Sequence, residues 1–353
     1  MSGGVDSSVA AHLLSEAGYR VTGLWLRLHD QSSPSSDDGE LRDAQQVAEY
    51  LHLPFLVVDA IDDFRKRVIE YFCAEFKRGR TPSPCIVCNE HIKFRILHET
   101  ARTLGIPWIA TGHYAVIQYD DSTRRYSLRK GFDHSKEQSY MLFSLGQTIL
   151  SRTIFPLGSF TKERVRELAV RIGLPTSRKK DSQEICFIGE RSYNDYLLRS
   201  GAVRPRPGLL IDRHGCTVGT HNGVHNFTIG QRRGLCGGQK YPLYVKQIVP
   251  EHRVVVVARR DQLYSLGAII RDVNWVSVSR IDGPTRTNVM LRYRQSEAKA
   301  VITPCAKEAY FLRFSQPQWA VTPGQAAVLY DGNAVLGGGW IDEALYELPA
   351  DTA

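Results

Sequence analysis

The 353-residue chain contains no run approaching the roughly 18 consecutive apolar residues that a membrane-spanning helix needs, which excludes a helical membrane protein. It shows neither a basic segment followed by an apolar core nor an Arg/Ser-rich leader at its start, so it reads as a cytoplasmic chain. Internal repeats are absent, and low-complexity sequence is confined to one short Ser/Asp-rich loop, DQSSPSSDDGE. There is no GxxxxGK[ST], so a kinase-type phosphate loop with its lysine is not supported. There is also no second CxxC and no HxxxH to complete a zinc site with the single CxxC present.

What is present is an ordinary globular composition, 42% hydrophobic and 23% charged, long enough for two or three domains. The net charge of +8 is unevenly placed. Residues 1–195 hold 26 basic against 25 acidic side chains, and residues 196–353 hold 19 against 12. Basic excess of that kind suits a polyanion such as nucleic acid, and equally suits a merely basic surface. Residues 1–112 alternate helix and strand patterns: a helix Ser8–Ala17, strands Tyr19–Leu28, 55–60 and 107–112, and helices near 41–51, 62–77 and 89–104. That alternation predicts a parallel sheet covered on both faces. A hairpin, AVIQYD to RYSLRKG, and helical stretches near 138–150 and 162–172 follow. Beyond residue 200, short β-branched runs with Gly and Pro punctuation predict one or two small β-barrels.

The first stretch with chemistry is Ser2-Gly3-Gly4-Val5-Asp6-Ser7-Ser8, running straight into a helix. Two glycines let the backbone approach an anion, the serines add hydroxyl donors, and the helix directs its N–H groups at a phosphate. Asp6 repels phosphate and makes sense there if it helps hold Mg²⁺. The second is TPSPCIVCNEHIKF. Cys85 and Cys88 precede a helix, where a thiolate is expected to be stabilised and its pKa lowered. The pair is open to three readings: a zinc half-site, a redox pair, or one functional cysteine beside an incidental one. Of the seven cysteines, Cys186 in DSQEICFIGER is a further candidate, Cys73 reads as core, and Cys216, Cys236 and Cys305 read as non-catalytic.

SGGVDS resembles the signature of the PP-loop ATP pyrophosphatases. Together with GRTPSPCIVCNEHIKF, ATGHYA, KEQSYMLF, DSQEICFIGER, FTIGQRRGL, LRYRQ and AVTPGQAAVLY, in that order, it makes the chain similar over nearly its whole length to the tRNA-specific 2-thiouridylases. The resemblance implies an α/β fold: a doubly wound, Rossmann-like PP-loop domain at 1–197, a central small β domain at 198–266 and a C-terminal tRNA-binding β-barrel at 267–353. It implies ATP-dependent 2-thiolation of wobble uridine 34 in the tRNAs for Lys, Glu and Gln, with AMP and pyrophosphate released. Cys88 matches the catalytic cysteine and Cys186 the persulfide carrier, the two forming a transient disulfide across 98 positions. Ser2, Gly3, Gly4, Val5, Asp6, Ser7, Leu26 and Gly112 match ATP-binding positions. Ser83, Pro84 and Cys85 match contacts to the target base, while His113, Lys136, Glu137, Gln138, Arg292, Tyr293 and Gln325 match tRNA contacts. Implied partners are tRNA, ATP with Mg²⁺ and a sulfur-donor desulfurase or relay protein, with a monomer the simpler expectation.

Two departures from the family are visible. Many members carry Asp where this chain has Cys85, and the thiols of Cys85, Cys88 and Cys186 would suffice for three ligands of a [4Fe–4S] cluster, an alternative to the persulfide route. Members also place an apolar strand before SGG, whereas Met1 directly precedes Ser2 here, so the start is expected to lie downstream of the working protein's. Without that strand the loop loses its anchor, and a catalytically impaired tRNA-binding relic becomes an alternative, as does another PP-loop thiolase or ligase.

Overall fold

The computed structural model describes residues 1–29, 38–181, 185–189, 192–235, 241–306 and 308–348. Helix α1 (Val5–Glu16) follows the glycine loop, and β1 (Gly23–Arg27), α2 (Asp38–Tyr50) and β2 (Phe55–Asp59) complete the first α/β unit. A long helix is then assembled from α3 (Ile61–Phe64), a π turn (Arg65–Ile69) and α4 (Glu70–Lys77). A second runs through α5 (Pro84–Cys88), another π turn (Asn89–Phe94) and α6 (Arg95–Thr103). Strand β3 (Ile109–Ala110), hairpin β4 (Ala115–Asp120) and β5 (Arg125–Lys130), helix α7 (Gln147–Leu150), strand β6 (Thr153–Ile154), helix α8 (Lys162–Arg171) and helix α9 (Tyr193–Arg199) complete the N-terminal half.

The parallel sheet is present in two pieces. β1 pairs with β2 in register from Gly23↔Phe55 to Arg27↔Asp59, and β3 pairs with β6 through Ile109↔Thr153 and Ala110↔Ile154. The glycine loop touches both: the Met1 amino group donates to the Leu24 carbonyl of β1, and Gly112, just past β3, lies against Asp6 and Ser7. One apolar cluster joins α1, α2 and α8 through Val5, Val9, Val47, Val165 and Leu168. The expected helix over 138–150 is not formed; Ser139–Met141 is a short 3₁₀ turn and α7 covers only Gln147–Leu150. Tyr140, Leu142, Phe143 and Leu145 are all buried, and near-consecutive apolar residues cannot all lie on one stripe of a single helix.

The second half is β-structured, as its punctuation predicts. Strands β7 (Gly208–Ile211), β8 (Thr217–His221), β9 (Tyr244–Val249) and β10 (Val254–Ala258) form a four-stranded sheet of order β8-β7-β10-β9 around Leu210, Phe227, Val245 and Val255. Strands β11 (Tyr264–Trp275), β12 (Thr285–Met290), β13 (Ala298–Ala306), β14 (Ala309–Trp319), β15 (Ala326–Asp331) and β16 (Ala334–Leu345) close into a barrel, because β11 pairs with both β14 and β16. The hairpin β4–β5 joins this barrel's sheet at β16 through Arg129↔Ala334. A shared core of Phe94, Ala115, Leu128, Tyr140, Phe143, Val328 and Tyr330 packs the two halves together. The barrel is thereby fixed against the helix that carries Cys85 and Cys88.

Candidate functional site

The loop before α1 is built for close approach. Gly3 has φ +67°, and a Cβ there would lie 2.5 Å from the Glu40 carbonyl oxygen. Gly112 admits no side chain either, since its Cβ would stand 2.7 Å from the Asp6 backbone. The loop is tied into a ring by Ser2 N–H donating to Ser7 Oγ at 3.1 Å and Ser7 Oγ donating to the Gly4 carbonyl at 3.1 Å. The N–H groups of Val5, Asp6 and Ser7 precede the first helical bond, from Ser8 N to Gly4 O, and form the anion-facing end of α1. Leu26, half-buried on β1, packs against the cluster that holds Cys88.

Asp6 is not the free carboxylate a magnesium ligand calls for. Both its oxygens accept from Lys162 Nζ, at 2.7 and 2.8 Å, and Oδ1 also accepts the Tyr114 hydroxyl at 2.7 Å. Burial and the Asp6 charge push the Tyr114 phenol well up, so it stays protonated and donates. Lys162 also reaches Asp181 at 2.8 Å, which further takes Lys136 at 2.8 Å and Arg166 at 2.7 Å.

Cys88 is buried, Cys85 and Cys186 have exposed side chains, and all three are free thiols. Cys88 belongs to the cluster of Phe64, Phe72, Ile92 and Phe187. Phe187 meets Phe64, Phe72 and Tyr196 edge-on with centroids 5.8, 5.2 and 5.2 Å apart, which seats the residue next to Cys186 on α3, α4 and α9, in the same apolar cluster as Cys88. The sequence expectation of a lowered thiol pKa is overturned. Although Cys85 and Cys186 keep surface open to solvent, the protein packed around the thiols disfavours their thiolates: this pushes Cys85 and Cys88 up, with Lys93 only partly opposing it, and together with the other two thiols pushes Cys186 up to about 12. The helix-dipole effect is outweighed: Cys85 and Cys88 lie within the first five residues of the helix that starts at Pro84, but in surroundings that solvate a thiolate poorly.

Lys93 is the cation in this group. Burial works against its charge, yet attraction from Cys88, Cys85, Cys186 and Glu40 raises its pKa overall. It stands five residues after Cys88 inside the π turn Asn89–Phe94, whose i→i+5 bonding brings residues five apart toward one face. Among the described residues no group of three or more His, Cys, Asp or Glu side chains could hold a metal ion. With an ammonium among them, the three thiols are a poor fit to a cluster. Cys73 is buried in the core as expected, Cys216 and Cys305 are exposed, and Cys236 lies outside the described residues.

The residues matched to tRNA and base contacts fall into two groups. Thr81 donates to the Pro323 carbonyl, Gln325 Nε2 donates to the Thr81 and Pro82 carbonyls at 2.9 and 3.3 Å, and Arg80 binds Glu75 and Asp342 at 2.9 and 2.8 Å. The barrel thus clamps the segment leading to Ser83, the residue preceding α5, and to buried Pro84 and exposed Cys85. Arg292 donates to Thr322 Oγ1 at 2.9 Å, and burial lowers its pKa. The second group surrounds Tyr114: Gln138 accepts the Tyr114 N–H at 3.0 Å, Tyr293 donates to the Glu137 carbonyl at 3.2 Å, and Lys136 holds Asp181. His113 stacks on Phe94 with centroids 5.7 Å apart, accepts or donates with Thr111 Oγ1 at 2.7 Å, and is held neutral, its pKa lowered to about 3 by burial and then Lys93.

The nucleotide loop and the thiols share neighbours. Glu40 lies against Gly3 and acts electrostatically on Lys93 and Cys186, while Gly112 abuts Asp6 and the adjacent His113 feels Lys93. Sequence reasoning missed Lys93, Lys162, Asp181 and Tyr114. The one available signal was that each lies within or beside a segment already singled out.

Three family models match the chain in succession: a tRNA methyl transferase HUP domain over residues 1–190, a tRNA methyl transferase PRC-barrel domain over 194–259 and an aminomethyltransferase beta-barrel domain over 265–341. The tRNA-specific 2-thiouridylase MnmA of Moorella thermoacetica is 44% identical over 349 residues, covering 97% of this chain and 98% of the relative. MnmA 1 of Caldanaerobacter subterraneus is 42% identical over 351 residues, covering 97% and 96%. The MnmA of Caldicellulosiruptor saccharolyticus is 40% identical, covering 98% of each.

Proposed function

Because the chain belongs to the tRNA-specific 2-thiouridylase family, we propose that it is a tRNA-uridine 2-sulfurtransferase acting on uridine 34 of the tRNAs for Lys, Glu and Gln. The observation that carries this reading is the adjacency of a phosphate-type loop and three thiols, bridged by Glu40 and Gly112–His113. A methyl transfer, named in the descriptions of two domain models, requires neither feature. Replacing a carbonyl oxygen by sulfur requires both: the oxygen must become a leaving group, and a sulfur nucleophile must stand beside it.

In the first step the uridine 2-oxygen attacks the α-phosphate of ATP, giving an adenylated base and pyrophosphate. Ser2, Gly3, Gly4, Val5, Asp6 and Ser7 would hold the phosphates through backbone N–H groups, hydroxyls and the end of α1. Mg²⁺ would accompany the phosphates as counter-ion, and Asp6 is not free to ligate it, since Lys162 and Tyr114 occupy that carboxylate. Ser83, Pro84 and Cys85 would receive the base splayed from the anticodon loop, and the clamp from Gln325 would set their position.

In the second step the outer sulfur of a Cys186 persulfide attacks C2 and expels AMP. The Cys88 thiolate then attacks Sγ of Cys186, breaking the bond to the transferred sulfur, so that 2-thiouridine leaves and a Cys88–Cys186 disulfide remains. A cellular dithiol reductant supplies the two electrons that reopen it, and a desulfurase or relay protein reloads Cys186. Lys93 is the cation that offsets negative charge on these sulfurs.

This order of steps predicts pyrophosphate exchange that depends on tRNA. Labelled pyrophosphate should enter ATP only when a tRNA bearing uridine 34 is added, and the same tRNA with cytidine 34 should leave exchange at background. Exchange without tRNA would point to an adenylating ligase instead.

A further inference from the structure

The C-terminal half carries most of the basic excess of the chain, and the motif FTIGQRRGL lies within it; neither has a role in the site above. The fold brings the two together around Trp319, the last residue of β14. Gly230 has φ +85°, and a Cβ there would stand 3.0 Å from both the Trp319 ring and the Ala320 side chain, so its turn is pressed onto that strand end. Gln231 locks the turn: its Oε1 accepts the Thr228 N–H at 3.0 Å, and its Nε2 donates to the Asn226 and Arg233 carbonyls at 3.0 and 2.9 Å. Arg232 and Arg233 are thereby held in fixed, exposed places. Arg260, also exposed, lies over the Trp319 ring at 5.4 Å. Among the described residues none of these three guanidiniums has an acidic partner; Asp261, the acid next to Arg260, pairs with Arg259 at 3.6 Å. In the N-terminal half, by contrast, Lys136, Lys162, Arg166 and Lys179 are all bound to carboxylates. We propose that Arg232, Arg233 and Arg260 form a surface that grips the sugar–phosphate backbone of the stem closing the tRNA anticodon loop.

Guanidiniums without internal acids, presented from a locked turn, suit phosphate: they take its oxygens two at a time and lose little freedom on binding. Trp319 has Arg260 over its face, Gly230 against its ring and Tyr244 edge-on at 6.1 Å, which makes it a floor for the guanidinium and not a stacking platform for a base. That arrangement fits contacts that position a nucleic acid, not contacts that read its sequence. An RNA duplex is held in this way, through its phosphates and hydroxyls. The surface is also continuous with the site. From Trp319 the chain runs through Ala320 and Thr322, both bonded by Arg292, to Gln325, which holds the Thr81–Pro82 segment ahead of Ser83. The six steps from Trp319 to Gln325 span at most about 22 Å, so one hairpin reaches both. The inference rests on the assignment of the Ser83 segment to the target base of tRNA made above, and it adds the central β domain to the parts that bind RNA.

The test is binding of an unmodified tRNA for Lys to the full chain, by filter retention over a range of salt, with neither ATP nor a sulfur donor present. Arg232→Gln combined with Arg233→Gln should weaken binding about tenfold or more. It should also reduce the slope of log affinity against log salt by about two, and Arg260→Gln should reduce it by about one. Arg260→Lys keeps the charge and should keep the slope. An anticodon hairpin with its full stem should separate the double variant from the unmodified protein, and a hairpin with that stem cut back should bind both alike. Equal losses on the two hairpins would place the arginines on the loop, and an unchanged slope would remove them from RNA binding; either result overturns the proposal. So would variants that bind tRNA normally yet accept sulfur poorly from a protein persulfide donor, because the surface would then dock an acidic protein. If the binding results come out as expected but the unmodified chain does not thiolate tRNA, the backbone surface stands and only the activity assigned above falls.

Discussion

Replacing Cys186 by serine is expected to remove tRNA thiolation by on the order of a thousandfold or more while leaving tRNA-dependent pyrophosphate exchange within about twofold of normal. The hydroxyl cannot carry a sulfane sulfur, but the adenylating loop lies at the other end of the site and keeps its bonds through Ser2, Ser7 and Lys162. Cys88→Ser should behave differently in one respect. Its persulfide on Cys186 still forms and attacks, so the tRNA accumulates as a mixed disulfide with Cys186 that an added thiol can discharge. Denaturing gels without reductant would show this adduct in Cys88→Ser and not in Cys186→Ser. Equal loss of exchange and thiolation in both variants would instead mean that these cysteines hold the fold.

Replacing Lys93 by methionine should slow thiolation strongly at neutral pH and move the pH–rate profile toward alkaline pH by about one to two units. The sign is set by the direction of each effect. Burial raises the thiols, and the Lys93 charge is the influence pulling Cys85, Cys88 and Cys186 down. Its removal raises them further, so less thiolate is present at any given pH. Lys93 itself, raised by the same thiols, stays charged across the range and adds no titration of its own. Lys93→Arg should restore most of the rate, and iodoacetamide labelling of Cys186 should show the same alkaline displacement in Lys93→Met. An unchanged profile would remove Lys93 from the chemistry.

Which of these residues could be read in the sequence follows from where their neighbours come from. The glycine loop is local: Gly3, Gly4 and α1 are contiguous, and backbone chemistry alone specifies them. The π turn is not legible, and with α-helical spacing Lys93 would point away from Cys88. The partnership of Lys162 with Asp6 spans 156 positions and exists only once α8 packs on α1. The sign of the thiol pKa shifts went wrong for the same reason, since burial by Phe64, Phe72 and Phe187 comes from distant segments. The hairpin β4–β5 was expected from its pattern, but its attachment to the C-terminal barrel depends on β16. Gln325 and Arg292, matched to tRNA contacts by resemblance, bond to Thr81, Pro82 and Thr322, partners that only the packing of the barrel on the Cys85 segment brings together.

The most direct measurement is thiolation of an unmodified tRNA for Lys by the full chain, given ATP and a persulfide donor, with the digested nucleosides read by mass spectrometry. The expected products are 2-thiouridine at position 34 and one AMP and one pyrophosphate per sulfur transferred, with no 2-thiouridine from Cys186→Ser. Full 2-thiouridine formation by Cys186→Ser, or a methylated uridine in place of the thiolated one, would contradict it.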